Sequence, residues 1–341
     1  MNLKQFVNSL PHITVEKIID KVNKYDVISF DIFDTLIKRD IEKESDVFKL
    51  TEKLYNKKYK TQLNGFRKIR DEAEQEARDE SRREEVVISE IYDKVIGKSV
   101  AVSGKEIVIT AKEADLLKEC EYEIERMVCV PNEEMMLIYR YCFTEGKRIL
   151  LISDMYWDRT LIEEILHKAH VDDYHALYIS SEYGVQKRNG ALYKAVLKEE
   201  KIKADKVLHL GDNKRADNIA AKLCGISTVA IPKIRNHTRY LQHVNRQDID
   251  ASVIWGFINN RVCAITSSLE KTGYEVYGPL LYLFTAWIAK ETDSSKTILF
   301  FSRDCYLVKK AYELMFNKEV NMSQISELSI GVQKEKSKTN S

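Results

Sequence analysis

Short runs of apolar residues, each followed by polar residues or glycine, recur along the chain. We predict that they form buried parallel strands, at 27–30, 148–152, 176–179, 207–210 and 227–231. Between the later strands, apolar residues recur at helical spacing over 161–169, 191–199 and 218–223. This alternation of strands and helices predicts an α/β fold with a Rossmann-like, doubly wound parallel sheet.

More than one hundred residues separate the first predicted strand from the second, far more than one crossover helix needs. We therefore predict an inserted cap over 42–129 that is helical throughout, with helices at 44–55, 61–82, 87–95 and 111–127. The second helix is densely charged, and ion pairs on a solvated face explain this most simply. In an alternative interpretation, Arg70 or Arg78 reaches over a site and binds an anionic substrate.

The remaining hydrophobic pattern divides the chain into further segments. We predict an N-terminal helical segment over 1–24, an α/β core over 25–41 and 130–235, and a C-terminal region over 236–316. That C-terminal region carries an aromatic helix over 276–289, a strand over 297–301 and a helix over 306–316. From residue 317 to 341 the pattern ends in polar residues, and we expect this tail to be disordered.

The amino-acid composition adds no new element to this prediction, but it excludes several classes of fold and partner. The 341 residues include only 12 glycines and 4 prolines, so a turn-dense all-β fold is disfavoured. With 54 basic and 53 acidic residues, no global field favours nucleic acid or an anionic membrane as a partner. The longest apolar run, 276–289, is too short to span a bilayer, and the N-terminus lacks a signal-peptide pattern. We expect a cytoplasmic protein whose six dispersed cysteines are reduced and structural.

Reactive side chains follow the predicted strands at the points where the strands end. Asp31 follows the first strand, Ser153 the second and Asp212 the fourth, while Lys187 precedes a predicted helix and Asp217 begins one. In parallel α/β sheets, ligands bind at the carboxyl ends of the strands. We therefore expect these carboxylates, the hydroxyl and the lysine to surround one point.

This collection of groups is suited to phosphoryl transfer. Carboxylates on neighbouring strand ends form an oxygen-only site of the kind that Mg²⁺ prefers. With the metal reducing charge repulsion, Asp31 can attack a phosphate and form an aspartyl phosphate. Ser153 can donate a hydrogen bond to a phosphate oxygen, and Lys187 can stabilise both nucleophile and transition state. We predict further substrate contacts from Thr35 and Asp154.

The four motifs, in this order over residues 25–232, resemble the haloacid dehalogenase-like (HAD) superfamily of hydrolases. The motifs are Asp31 with Thr35 and Leu36, then Ser153, then Lys187, then Gly211-Asp212 with Asp217. The resemblance implies a Rossmann-like core with a cap inserted after the first motif. It also implies that Asp31 is nucleophile and metal ligand, and that the Phe33 carbonyl and Asp212 complete the ligand set. Asp217 then supports metal-bound water or Lys187; alternatively it is an acid favoured at a helix N-terminus.

One position departs from the pattern of the family's phosphatases. Two residues after the nucleophile they usually carry a second Asp, the general acid and base, and here the residue is Phe33. Asp34 is a candidate substitute, although a turn role explains it more simply. We therefore expect a phosphohydrolase that is slow or restricted to good leaving groups. The alternatives are a catalytically weak module that binds a phosphorylated ligand or a partner protein, and, less favoured, a 2-haloacid dehalogenase.

A closer resemblance is to a bacterial subgroup of predicted hydrolases, carried by residues 29–36, 153–156 and 180–184 and also seen at 70–78 and 278–282. Such proteins accompany, or are fused to, glycosyltransferases of surface polysaccharide synthesis. The resemblance implies a sugar-phosphate substrate and a glycosyltransferase partner. It also implies that the C-terminal region is truncated after 301–304, where Arg303 and Asp304 are candidates for a second polar site.

Overall fold

The structure is a computed structural model, and it describes residues 15–232, 249–262, 265, 267–292, 298–301, 305–317 and 322–323. The chain divides into two compact units, residues 1–265 and 266–341. The candidate polar site at Arg303 and Asp304 lies outside the described residues, as do the first fourteen residues and the tail beyond residue 323.

The first unit is built on a parallel sheet. Its strands in chain order are β1 Val27–Phe30, β2 Ile37–Arg39, β3 Leu63–Asn64, β4 Ser99–Val102, β5 Lys105–Val108, β6 Cys129–Pro131, β7 Arg148–Ser153, β8 Ala176–Ile179, β9 Val207–Gly211 and β10 Ser227–Ala230. Five of them form the central sheet in the order β10-β9-β1-β7-β8, and all four pairings are parallel. The predicted α/β fold with a parallel central sheet is confirmed.

Helices cover both faces of this sheet. In the first unit the longer ones are α1 Val15–Val22, α2 Asp46–Tyr59, α3 Phe66–Glu80, α4 Ile88–Val95, α5 Ala111–Val128, α6 Glu133–Thr144, α7 Arg159–Lys168, α8 Ala191–Glu200 and α9 Ile249–Val262. Side chains that alternate along the strands enter two hydrophobic clusters, so that Leu151 joins one cluster while Leu150 and Ile152 join the other. This two-sided burial explains why the strand sequences are continuously apolar.

The insertion between β2 and β6 is not helical throughout, so that prediction was wrong. Besides α2 to α5 it contains a small antiparallel sheet in the order β3-β4-β5. Ser103 and Gly104 both have positive φ, at 49° and 78°, and they form the tight turn between β4 and β5. The predicted helix over 61–82 begins only at Phe66, because Gly65 at φ 95° breaks the chain direction there.

The antiparallel pair β2–β6 connects the core to the insertion. Helix α9 packs against this connection at backbone distance, since a Cβ added to Gly256 would lie 2.2 Å from the Ile41 nitrogen. Arg261 Nη1 binds Asp40 Oδ1 at 3.0 Å on the same segment. Helix α9 therefore belongs to the first unit.

The second unit is smaller and is described by itself. It contains helices Ser268–Thr272, Gly278–Glu291 and Tyr306–Phe316, and a short parallel strand pair Phe300–Phe301 and Met322–Ser323. The second and third of these helices match the predicted helices at 276–289 and 306–316. Across the described residues, no helix combines the length and the apolar character that crossing a membrane requires.

Candidate active site

The carboxylate of Asp31 lies at the carboxyl end of the central strand β1. Its backbone N–H donates to the Leu210 carbonyl at 2.9 Å, which extends the pairing with β9 by one residue. The side chain is buried, with 6% of the residue exposed. Asp31 Oδ1 accepts a hydrogen bond from Lys187 Nζ at 2.5 Å. The predicted nucleophile and the predicted lysine are therefore in direct contact.

Lys187 reaches this position from a short 3₁₀ turn, Lys187–Asn189, that precedes α8. Besides Asp31, its ammonium group donates to Asp217 Oδ1 at 2.7 Å and to the Ile152 carbonyl at 3.2 Å. Its backbone N–H donates to Asp154 Oδ1 at 2.8 Å. All three ammonium protons thus have an acceptor, which fixes the direction of the side chain.

Asp217 is held by protein donors on both carboxylate oxygens. Its Oδ1 lies 3.3 Å from His209 Nε2 and also accepts from Lys187, while its Oδ2 accepts from the Asn213 backbone N–H at 2.9 Å. His209 Nδ1 in turn lies 2.8 Å from Ser29 Oγ. Because an ionised carboxylate only accepts, we assign the His209 proton to Nε2, with Ser29 donating to Nδ1. Asp217 is placed to orient Lys187.

Burial and charge set the protonation of this cluster. Burial raises the pKa of Asp31 well above its usual value, and Lys187 offsets only part of that shift. Burial alone would lower the pKa of Lys187, but Asp217 and Asp31 outweigh it and hold that pKa well above normal. Burial opposes ionisation of Asp217 too, but Lys187 and His209 bring its pKa well below normal. The cluster therefore carries a fixed ammonium group beside one firmly ionised carboxylate.

The site also holds a set of donors that suits a divalent cation. One carboxylate oxygen each of Asp31, Asp212 and Asp217 lies within 4.8 Å of the others. Hard oxygen donors of this kind fit Mg²⁺. A cation bound beside Asp31 would also favour its ionised form. Protein donors occupy both oxygens of Asp217, and the predicted metal ligands Asp31, Asp212 and the Phe33 carbonyl stay predictions.

The glycine at the end of β9 is required by this packing. A Cβ added to Gly211 would lie 2.4 Å from Asp217 Cγ, closer than real side chains approach. Only glycine therefore allows Asp217 to lie against the strand end and reach Lys187. The glycine of the Gly-Asp sequence at 211–212 thus has a steric reason in this fold.

The other residues predicted at the site have different surroundings. Ser153 ends β7 and is buried, and Asp154 binds the backbone of Lys187. Thr35 is fully buried, with a hydroxyl that has no hydrogen-bond partner among the described residues. Its carbonyl accepts from Asn132 Nδ2 at 2.7 Å. The predicted substrate contacts of Thr35 and Asp154 stay predictions.

Phe33 and Asp34 occupy the turn that leads from Asp31 into β2. The guanidinium of Arg39 lies 4.6 Å from the centre of the Phe33 ring, so the ring makes a cation–π contact and has no proton to transfer. Asp34 has φ 60°, and its backbone N–H donates to the Ile37 carbonyl at 2.7 Å, as expected for a turn residue. Its side chain lines a cavity of about 30 Å³ together with Arg39.

Arg70 does not fit the prediction that it binds substrate. Its side chain is fully buried, with Nε and Nη2 on the two oxygens of Glu121 at 3.0 and 3.1 Å and Nη1 on Glu74 at 3.1 Å. The rings of Phe48 and Tyr156 lie 4.7 and 5.1 Å from the guanidinium. Binding an external anion would require breaking a buried ion pair.

Arg78 is half-buried and also binds acids, Glu74 at 3.0 Å and Glu85 at 2.7 Å. Through Glu85 it reaches the segment that carries Lys187, because Glu85 Oε2 accepts from Gln186 Nε2 at 3.1 Å. Its predicted contact with substrate stays a prediction.

Comparison with known proteins yields distant likenesses of fold. No family model matches the sequence, and no curated protein matches it. Among solved structures, a 2-haloacid dehalogenase from Pseudomonas syringae pv. Tomato DC3000 is 14% identical, with a TM-score of 0.47 over 64% of this chain and 91% of that one. The putative HAD-hydrolase YfnB from Bacillus subtilis, bound to magnesium, is 15% identical, with a TM-score of 0.43 over 61% and 88%. CbbY from Rhodobacter sphaeroides, in complex with phosphate, is 13% identical, with a TM-score of 0.43 over 64% and 91%. Likenesses this distant leave the function to be inferred from the residues themselves.

Sequence reasoning missed the residues that support the lysine. His209 is a polar residue in the middle of the apolar strand β9, and that interruption is the signal that could have identified it. Tyr193, whose hydroxyl lies 3.2 Å from the Ala216 carbonyl and 3.5 Å from Asp217 Oδ1, carries no comparable signal. Glu85 lies within a long run of charged residues, where nothing marks it as buried.

Proposed function

We propose that the protein is a Mg²⁺-dependent phosphohydrolase that acts through an aspartyl phosphate on Asp31. The observation that carries the proposal is the 2.5 Å contact between Asp31 Oδ1 and Lys187 Nζ at the strand ends, beside Asp212 and Asp217. A carboxylate fixed next to a cation, with further acids nearby, provides both a nucleophile and a site of charge stabilisation.

The reaction has two displacements at phosphorus. First an oxygen of Asp31 bonds to phosphorus, and the bond from phosphorus to the leaving oxygen breaks with its electron pair on that oxygen. Then a water oxygen attacks the same phosphorus, the bond to Asp31 breaks, and phosphate and a proton leave. Lys187 remains protonated and stabilises negative charge beside Asp31 in both steps. A magnesium ion held by Asp31 and Asp212 would supply positive charge that reduces repulsion of the incoming phosphate.

The residue at position 33 limits the leaving group. Because the Phe33 ring cannot transfer a proton, a leaving alkoxide departs without help from that position. An aryl phosphate, whose leaving group is stable as an anion, should then be hydrolysed much faster than an alkyl phosphate. The comparison to measure is p-nitrophenyl phosphate against an alkyl phosphate monoester with Mg²⁺, and equal kcat/KM values would contradict this restriction.

The central test is the variant Asp31→Asn. Because an amide oxygen is a poor nucleophile, we expect hydrolysis of p-nitrophenyl phosphate to fall by about 10³-fold or more. The matched control is Asp205→Asn, which makes the same change at an exposed position and should leave kcat/KM unchanged. Undiminished hydrolysis by Asp31→Asn would overturn the assignment.

For the substrate we infer a small phosphorylated metabolite, and specifically a sugar phosphate used in surface-glycan synthesis. This inference is supported by the resemblance to hydrolases that accompany glycosyltransferases. A screen of sugar phosphates, nucleotides and aryl phosphates, each with and without Mg²⁺, tests it. Preferential hydrolysis of nucleotides would contradict it.

The second candidate function is a catalytically weak module that binds a phosphorylated ligand or a glycosyltransferase, and Phe33 favours it. Beryllium fluoride with Mg²⁺ mimics a phosphoryl group on a competent aspartate. We expect it to raise the Tm of the wild-type protein but not of Asp31→Asn. No shift in either protein would favour the binding module, and release of halide from a 2-haloacid without metal would favour a dehalogenase.

A further inference from the structure

The loop that carries Lys187 has little regular structure of its own. Its turn, Lys187–Asn189, lies between two glycines in the left-handed region, Gly184 at φ 66° and Gly190 at φ 82°. Such a segment has many accessible backbone conformations, so contacts from elsewhere must select one of them. The position of the ammonium group beside Asp31 therefore depends on what holds the loop.

Glu84, in the segment of the insertion between α3 and α4, binds this loop at three points. Its backbone N–H donates to the Gly184 carbonyl at 3.0 Å. Its carboxylate accepts from the Gln186 backbone N–H at 3.1 Å and from Asn189 Nδ2 at 2.6 Å. Gln186 and Asn189, which donate to this carboxylate, lie on either side of Lys187 in the sequence.

Glu85 binds the same loop from a buried position, with 2% of the residue exposed. Its Oε2 accepts from Gln186 Nε2 at 3.1 Å and from Ser180 Oγ at 3.2 Å. Its Oε1 accepts from Arg78 Nη1 at 2.7 Å and from the Val86 N–H at 3.1 Å. Ser180 Oγ also accepts from the Met155 N–H at 2.8 Å, which ties Glu85 to the loop after Ser153 as well.

We propose that Glu84 and Glu85 are positioning residues for the Lys187 loop, so that the insertion holds the lysine in place for phosphoryl transfer on Asp31. This proposal rests on the proposed function, because it assigns Lys187 a part in that chemistry. Neither glutamate contacts the reacting atoms. They act through Gln186 and Asn189, the residues that flank Lys187.

The test uses Glu85→Gln and Glu84→Gln in the full chain. A glutamine at position 85 replaces one carboxylate oxygen with an amide nitrogen, so either Arg78 and the Val86 N–H lose their acceptor or the Gln186 amide must turn over to accept. Loss of a hydrogen bond that positions a residue of the site, without contacting substrate itself, typically reduces activity about 10–100-fold. We expect kcat with p-nitrophenyl phosphate and Mg²⁺ to fall by about that factor for Glu85→Gln and less for the exposed Glu84→Gln, with KM within about 3-fold.

The matched control is Glu80→Gln, the same change a few residues earlier, at the last residue of α3. Glu80 binds Lys94 at 2.5 Å and is largely exposed, so we expect its kcat to match the wild type. The second measurement is amide hydrogen exchange at Gln186 and Lys187, which needs no activity. We expect faster exchange at these amides in Glu84→Gln and Glu85→Gln, and wild-type exchange in Glu80→Gln.

The two readouts separate this proposal from the proposed function. Unchanged exchange at Gln186 and Lys187 in both variants overturns the positioning role, whether or not the wild type hydrolyses phosphate. Faster exchange with unchanged kcat in an active enzyme also overturns it. If exchange is faster in the variants but the wild-type protein hydrolyses no phosphate ester, the proposed function is overturned. The result then shows only that the glutamates hold the loop. If Glu85→Gln does not fold, Asn189→Ala removes a Glu84 contact from the loop side and should lower kcat without raising KM.

Discussion

Lys187 and Arg70 are both buried in the first unit, and their surroundings differ in one decisive way. Lys187 lies between Asp31 and Asp217, in a cluster that also includes the half-buried Asp212. Arg70 lies between Glu121 and Glu74, under the rings of Phe48 and Tyr156. On sequence grounds, Lys187 was predicted to stabilise the nucleophile and the transition state, and Arg70 was an alternative candidate for binding an anionic substrate.

The difference lies in what remains available beside each cation. At Lys187, one carboxylate oxygen each of Asp31, Asp212 and Asp217 lies within 4.8 Å of the others, near the edge of the sheet at which parallel α/β folds bind ligands. At Arg70 the guanidinium is fully buried, and Tyr92 also donates to Glu121 at 2.6 Å, so the anion position is already occupied by protein. A buried cation therefore points to a functional site when its partners belong to a set of donors that can hold a further ligand, as Asp31 and Asp217 do together with Asp212.

The largest expected effect comes from removing the lysine. In Lys187→Met, Asp31 loses the cation that stabilises the transition state, and we expect kcat with p-nitrophenyl phosphate to fall by about 10³-fold. Steady-state kinetics at saturating Mg²⁺ provides the measurement. A fall in kcat of less than about 10-fold would contradict a catalytic role for Lys187 that Arg70 does not share.

Removing the arginine should affect stability instead. Arg70→Met leaves Glu121 buried without its cation, and we expect the free energy of unfolding to fall by about 3–5 kcal/mol. The kcat of the molecules that remain folded should stay near the wild-type value. Urea denaturation measures the free energy of unfolding, and kinetics at urea concentrations below the unfolding transition measure kcat. A loss of kcat as large as that of Lys187→Met would contradict the proposed difference between the two cations.

Metal binding should distinguish the two clusters next. At Mg²⁺ concentrations about 100 times Kd, we expect the free energy of unfolding to rise by about 2.7 kcal/mol. Asp212→Asn should lose most of this increment, while Arg70→Met should keep it. Thermal denaturation with and without Mg²⁺ tests this. An equal increment in Asp212→Asn would show that Mg²⁺ binds elsewhere.

The smallest expected effect concerns the close packing at Lys187. In Gly211→Ala the added Cβ displaces Asp217, and we expect kcat to fall by about 10–100-fold. Gly146→Ala is the matched control, because its φ of 64° strains an alanine while its added Cβ meets no atom within 4 Å. It should cost about 1 kcal/mol of stability and leave kcat unchanged. Equal kcat values for the two variants would contradict the steric argument.

The sheet and the meeting of Asp31 with Lys187 were predictable because they follow from short-range patterns. A continuous apolar run predicts a strand buried on both faces, and the ends of parallel strands meet at one edge. The strands β4 and β5 were missed, because half of the residues of β4 and three of the four in β5 are exposed, so neither forms a continuous apolar run.

Burial of charged side chains was not predictable in the same way. Arg70, Arg78 and Glu85 lie in one densely charged run, and this charge density favoured a solvated helix, although helical spacing places Arg70 on one face with the apolar residues Phe66, Ile69, Ala73 and Ala77. The structure buries Arg70 and Glu85 and leaves Arg78 half-exposed. Arg70 binds Glu121 across 51 residues and Glu85 binds Gln186 across 101, so no local pattern specifies these two contacts.

The sequence by itself determined the parallel sheet and the order of reactive groups at its strand ends, since both depend on local hydrophobic spacing and on the rule that parallel strands end together. Only the tertiary structure decided which charged side chains became buried. Burying a charge is favourable only with a partner at hydrogen-bonding distance. For Lys187 those partners are Asp31 and Asp217, while for Arg70 they are Glu121 and Glu74.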